Sequence, residues 1–173
     1  PVLVRPWGTP FLQHVRAHEE VFAGLPAQAH GGLLDAYLQS SVNGSLRADW
    51  RTVLGRPWRD AEGQRAFYRQ IAQMDEGHTE ELEPFWPEVR CSVFCAWGAE
   101  DTWLPSDHLG ALAAGGLPLH RTRLLPEAGH LVQHDAPEAV LGFIEECLLD
   151  GGYAHVPIPG SKPGSSEPPR NAL

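Results

Sequence analysis

Between Val89 and Leu149 the chain alternates strand, helix, strand, helix, and that order leaves few folds open. Cys91–Trp97 is an apolar run without a single charge, as expected of a strand covered on both faces. Ser106 is a candidate cap for a helix holding Leu109, Leu112 and Ala113, which Gly115 and Gly116 end. A second strand covers Thr122–Leu125. Asp135-Ala136-Pro137-Glu138 then has the form of a helix N-terminus, with Asp first and Glu three residues on. The helix it opens carries Val140, Phe143, Ile144, Cys147 and Leu148. Strands joined through helices pair in parallel, so the expectation is an α/β parallel sheet with flanking helices over residues 88–150.

The preceding segment reads differently. Residues 1–10 predict a short core strand, Pro-Val-Leu-Val-Arg-Pro-Trp, leaving through the turn Gly8-Thr9-Pro10. Residues 11–87 carry helical periodicity and no convincing strand. Phe11, Val15 and Phe22 share a face of one helix that Gly24 and Pro26 end. Leu33, Leu34, Tyr37 and Leu38 mark a second helix, and Asp60 caps a third bearing Phe67, Tyr68, Ile71 and Met74. Residues 151–173 are rich in Pro, Gly and Ser and predict a disordered tail.

Composition narrows the function. A net charge of -9, from 13 basic and 22 acidic residues with no basic cluster, argues against phosphate neutralisation and so against nucleic-acid binding. Cys91 and Cys95 sit about 13 Å apart along one strand, too far for a disulfide, and read as small buried hydrophobes in a reducing compartment. Without a signal peptide or an apolar run of bilayer length, the expected location is cytoplasmic with no membrane partner. The chain begins at Pro1 inside an apolar stretch, an unusual point for a domain to start.

Two strings carry chemistry. Trp97-Gly98-Ala99-Glu100-Asp101-Thr102-Trp103-Leu104-Pro105 follows the first strand, and Glu127-Ala128-Gly129-His130-Leu131 follows the second. Both fall at the carboxyl edge of the sheet, where the catalytic groups of open α/β folds collect. A carboxylate there fixes the tautomer of a neighbouring imidazole and leaves its other nitrogen as a general base. Glu100 competes with Asp101 but is expected to face solvent. His14 and His18, spaced i and i+4, lack a third ligand, as does the pair His130 and His134, so no metal site is expected. His134 reads as support for the next helix start. Trp7, Tyr37, Tyr68 and Trp103 are candidate substrate contacts, weighed against the plainer role of packing.

In these strings Val89–Leu149 resembles the last third of the α/β-hydrolases. There one strand ends in a Gly-x-x-Asp turn with the triad acid and the next in Gly-His with the triad base. Asp101 matches the acid and His130 the base, in the order nucleophile, acid, histidine. The string Gly129–Val140 (GHLVQHDAPEAV) is especially similar to the family, and residues 11–87 resemble its inserted helical cap. The resemblance implies a partial α/β-hydrolase fold, hydrolysis of a small ester, epoxide or haloacid-like substrate, and no cofactor.

The nucleophile is the departure. No Gly-x-Ser-x-Gly occurs in the 173 residues. Ser40, Ser41 and Ser45 fall in or after a helix and Ser92 within a strand, not on the strained elbow that activates a hydroxyl. The expectation is a C-terminal portion, inactive alone, that a nucleophile-bearing N-terminal part completes. The alternative is a non-catalytic remnant acting as a binding or interaction protein. On either reading an open sheet edge invites self-association.

Overall fold

Asp60 stands just before an amphipathic run, and its carboxylate accepts from the backbone amides of Glu62 and Gly63, as the sequence predicts. The helix it caps centres the N-terminal half. The structure is a computed structural model and describes residues 9–75 and 77–150. The predicted strand at the N-terminus, Trp7 and the tail 151–173 lie outside the described residues.

Among those residues, six α-helices precede the first strand: α1 (Pro10–Ala17), α2 (Glu19–Ala23), α3 (Ala27–Gln39), α4 (Ala48–Gly55), α5 (Ala61–Ala72) and α6 (Gly77–Glu80). Short 3₁₀ turns cover Arg56–Trp58 and Glu83–Glu88. The single helix predicted from Phe11 to Gly24 is broken at His18, whose ψ of 39° leaves the helical region. The break lets α1 and α2 each pack against α5. The core of this half is Leu12, Val15, Leu34, Leu38, Leu46, Phe67, Tyr68 and Ile71. Each fully buried Leu or Phe contributes about 1.5–3 kcal/mol of transfer free energy.

The second half holds β1 (Val93–Gly98), α7 (His108–Ala114), β2 (Leu119–Leu125), α8 (Val132–Asp135) and α9 (Pro137–Asp150). The strands pair in parallel, from Val93 opposite Leu119 to Gly98 opposite Leu125. The second strand starts three residues before the predicted Thr122. Its alternation hides it, because Arg121 and Arg123 occupy a face that α9 covers with Glu146 and Asp150. The Arg123 guanidinium also lies 5.0 Å above the Phe143 ring. Ser92 lies just ahead of β1 and is exposed, rather than inside the strand. Ser106 does not cap α7, which begins at His108 after Asp107 with no side-chain cap.

Asp135 does not cap α9 either. It ends the four-residue α8, and its side chain turns back toward the loop after β2. No helix among the described residues is long and apolar enough to cross a membrane.

Candidate active site

Parallel pairing in this register ends β1 at Gly98 beside the end of β2 at Leu125, so the two following loops leave the sheet together. They need glycine to approach. A Cβ at Gly98 would stand 2.2 Å from the Gly129 carbonyl oxygen, which forbids any other residue there. The second loop turns through Glu127, whose φ of 55° is left-handed and costs a non-glycine residue about 1–2 kcal/mol. The side-chain amide of Asn43 donates to the Glu127 carbonyl at 2.9 Å and holds the turn.

The first loop delivers Asp101 and the second His130. Asp101 is nearly buried, and one carboxylate oxygen, Oδ1, accepts from the backbone amides of Trp103 and Leu104, both at 2.9 Å. The other, Oδ2, meets His130 Nδ1 at 2.9 Å. Burial alone pushes the Asp101 carboxyl up, but the hydrogen bonds from His130 and the two amides outweigh it and hold the carboxyl below its usual range. Since a carboxylate only accepts, Nδ1 carries a proton, and in the neutral ring the lone pair is at Nε2. Among the described residues nothing bonds to that Nε2, and the His130 side chain is 33% exposed. A base with a fixed tautomer and an open lone pair is the chemistry on offer. Glu100, the competing carboxylate, is exposed.

Trp103 lies tilted against the His130 ring at 4.8 Å and against Tyr37 at 4.6 Å, and its Nε1 donates to Ser40 Oγ at 3.0 Å. Beside this indole opens a cleft of about 420 Å³ whose walls include Pro10, Phe11, Leu33, Tyr37, Ser40 and Trp103. Burial pushes the Tyr37 phenol up to about 12, so it stays a neutral donor, and its hydroxyl has no partner among the described residues.

The expectations for the aromatic residues divide. Tyr37 and Trp103 line the cleft. Tyr68 does not: it is fully buried among the helices, its hydroxyl 2.9 Å from Nδ1 of the equally buried His30, whose Nε2 donates to the Trp58 carbonyl at 2.8 Å. Tyr37 and Tyr68 both sit at helical core spacing, so periodicity alone does not tell them apart. Ser40 Oγ donates to the Tyr37 carbonyl and Ser41 Oγ to the Leu38 carbonyl, which leaves neither poised as a nucleophile. Among the described residues no group of three or more His, Cys, Asp or Glu residues is placed to hold a metal ion.

Paired parallel strands with an acid after the first and a histidine after the second define the C-terminal part of an α/β-hydrolase fold. The comparisons agree, and the chain belongs to that fold family. It is similar, at 41% identity and a TM-score of 0.76, to an α/β-hydrolase fold protein from Burkholderia ambifaria, over 84% of this chain and 54% of that one. An esterase from Thermogutta terrifontis matches over 87% of this chain and 53% of its own, at 19% identity and a TM-score of 0.53. An esterase from Exiguobacterium antarcticum matches over 80% and 48%, at 13% and 0.53. These last two share the fold alone. The chain spans about half the length of the solved structures it matches. No family model matches the sequence, and no curated protein does.

Proposed function

We propose that this chain supplies the acid and the general base of a hydrolase acting on a small neutral ester or epoxide, with the nucleophile coming from a part of the fold that these residues do not span. The observation that carries the reading is the Asp101–His130 contact at 2.9 Å with Nε2 left open. In the ester case Nε2 takes the proton of a nucleophilic hydroxyl as its oxygen attacks the carbonyl, then returns it to the departing alkoxide. Asp101 stabilises the imidazolium formed between the two transfers. If the nucleophile is a carboxylate, the same nitrogen takes its proton from the water that opens the covalent ester. Neither route needs a cofactor.

The walls named for the cleft are apolar or neutral, with no cation to pair with a carboxylate. That favours a neutral substrate over a haloacid. The helical half covers the site and sets specificity, with Tyr37 and Trp103 in contact with substrate. The names of two fold neighbours, both esterases, are in keeping with this chemistry. Leu141, Ile144 and Leu148 stand exposed along α9, an apolar stripe suited to contact with the rest of such a fold or with a second chain. Three free cysteines suit a reducing, cytoplasmic setting.

The test is hydrolysis of p-nitrophenyl acetate and of a styrene-oxide-type epoxide by the native polypeptide that carries this sequence. Turnover of either that disappears in His130→Ala supports the reading. Undiminished turnover in His130→Ala rejects it, and no turnover of either substrate turns attention to binding.

A further inference from the structure

The loop that presents His130 is held from behind by a second carboxylate. Asp135 Oδ2 accepts from the backbone amide of Gly129, the residue just before His130, at 2.8 Å. The same oxygen accepts from the backbone amide of Asn43, between α3 and α4, also at 2.8 Å. Its other oxygen, Oδ1, meets His134 Nδ1 at 2.7 Å. The imidazole completes the set, since its Nε2 accepts from the backbone amide of Arg47 at 3.2 Å. A backbone N–H can only donate, so Nε2 is bare and Nδ1 carries the proton toward Asp135. Both side chains are almost wholly buried, at 6% and 3% exposure.

The attachment is close as well as polar. A Cβ on Gly129 would stand 2.9 Å from the Asn43 nitrogen, so the loop and the 42–43 backbone lie in direct contact. The Leu131 amide donates to the Ser41 carbonyl at 2.9 Å. His130 is therefore flanked by Leu131, bonded directly to one segment of the helical half, and by Gly129, which lies against that segment and is bridged to it by the Asp135 carboxylate.

We infer that Asp135 is a positioning residue for His130: its carboxylate fixes the Gly129 amide against the 41–47 segment and so sets where the His130 ring meets Asp101 and substrate. His134 orients that carboxylate by donating to Oδ1, and its own ring is fixed by the Arg47 amide. The inference rests on the hydrolase reading for its effect on turnover, but its geometric part stands on the Asp101–His130 hydrogen bond alone. Displacing a general base by an ångström costs about a hundredfold in rate without loss of substrate affinity.

The experiment compares Asp135→Ala, Asp135→Ser and Asp135→Asn in the native polypeptide, reading kcat and KM on p-nitrophenyl acetate and the downfield proton resonance of His130 Nδ1. That resonance is assigned by its loss in His130→Gln. In Ala and Ser, which cannot bridge both amides, kcat falls ten- to a hundredfold with KM within twofold, and the resonance broadens or disappears. In Asn the carbonyl oxygen still accepts from Gly129 and Asn43, so the resonance stays and kcat lies within about threefold of wild type, even though the amide group facing His134 disturbs the Arg47 bond. Wild-type kcat and an intact resonance in Ala overturn the inference. So does an Asn variant no better than Ala, which makes the effect general destabilisation; Ser serves if Ala does not fold. If the wild type turns over neither the ester nor the epoxide, the hydrolase reading fails by itself, and the resonance still decides whether Asp135 positions His130.

Discussion

The molecule contains two Asp–His pairs of nearly the same geometry, and they are built for different ends. In one, Asp101 Oδ2 meets His130 Nδ1 at 2.9 Å; in the other, Asp135 Oδ1 meets His134 Nδ1 at 2.7 Å. Both carboxylates are buried, at 4% and 3% side-chain exposure. The difference is at the far nitrogen. His130 Nε2 is open, whereas His134 Nε2 is taken up by the Arg47 amide and its ring lies edge-on to Trp50 at 5.2 Å. A carboxylate on Nδ1 therefore does not by itself make a base. Among the described residues only His130 joins that carboxylate to a lone pair that solvent can reach; buried His108 has a bare Nε2 but a backbone carbonyl on Nδ1.

The largest test of this contrast replaces each imidazole. His130→Ala in the native polypeptide is expected to lower kcat/KM on a small ester by about 10⁴-fold or more, with a melting temperature close to wild type. His134→Ala shifts the weight to stability: it leaves the Arg47 amide and the Asp135 oxygen without their partner in a buried site and costs about 2–4 kcal/mol in urea unfolding, with a loss of rate no larger than that of Asp135→Ala. Equal loss of rate in the two variants breaks the distinction.

Asp101→Asn comes next. The new amide keeps the oxygen that accepts from Trp103 and Leu104 but turns an NH₂ toward His130 Nδ1, which forces the ring proton onto Nε2 and removes the base. About 10³–10⁴-fold of kcat goes with it. The same variant has a pH signature. The folded-state pKa of Asp101 lies below its unfolded value near 3.9, so its stabilisation is present above that value and lost as pH falls through the lower folded one. The urea midpoint of wild type is thus expected to fall between pH 6 and the acid limb by more than that of Asp101→Asn. Parallel acid limbs count against an ionised Asp101 bonded as described.

The sequence made one pair legible and concealed the other, for a physical reason. Gly98, Asp101, Gly129 and His130 follow strands directly, and a strand end fixes where the next residues go. Asp135 sits in a string that also spells a helix cap, and its distant partner, the Asn43 amide, is 92 positions earlier, as the Arg47 amide that meets His134 is 87 positions earlier; both are main-chain groups that no side chain advertises. The early start of β2 was hidden in the same way, since Arg121 and Arg123 look exposed until α9 brings Glu146 over them. Helical periodicity, likewise, placed Tyr37 and Tyr68 on inward faces without saying which face met the cleft.

Those two tyrosines give the smallest and most discriminating test. Tyr68 shares its hydroxyl with His30, which like His134 is bonded at both nitrogens. Tyr68→Phe strips a buried ring nitrogen of its partner and is expected to cost about 1–2 kcal/mol of stability, with KM and kcat unchanged. Tyr37 packs its ring on Trp103 but leaves its hydroxyl unpaired among the described residues, beside the cleft. Tyr37→Phe is therefore expected to leave stability within about 0.5 kcal/mol and to raise KM by a few-fold, the loss of one neutral hydrogen bond to substrate. The two substitutions delete the same atom, one helix apart. If Tyr68→Phe moved KM while Tyr37→Phe moved only stability, an imidazole closed at both nitrogens could no longer be taken as structural, and the line drawn between His130 and His134 would have to be redrawn.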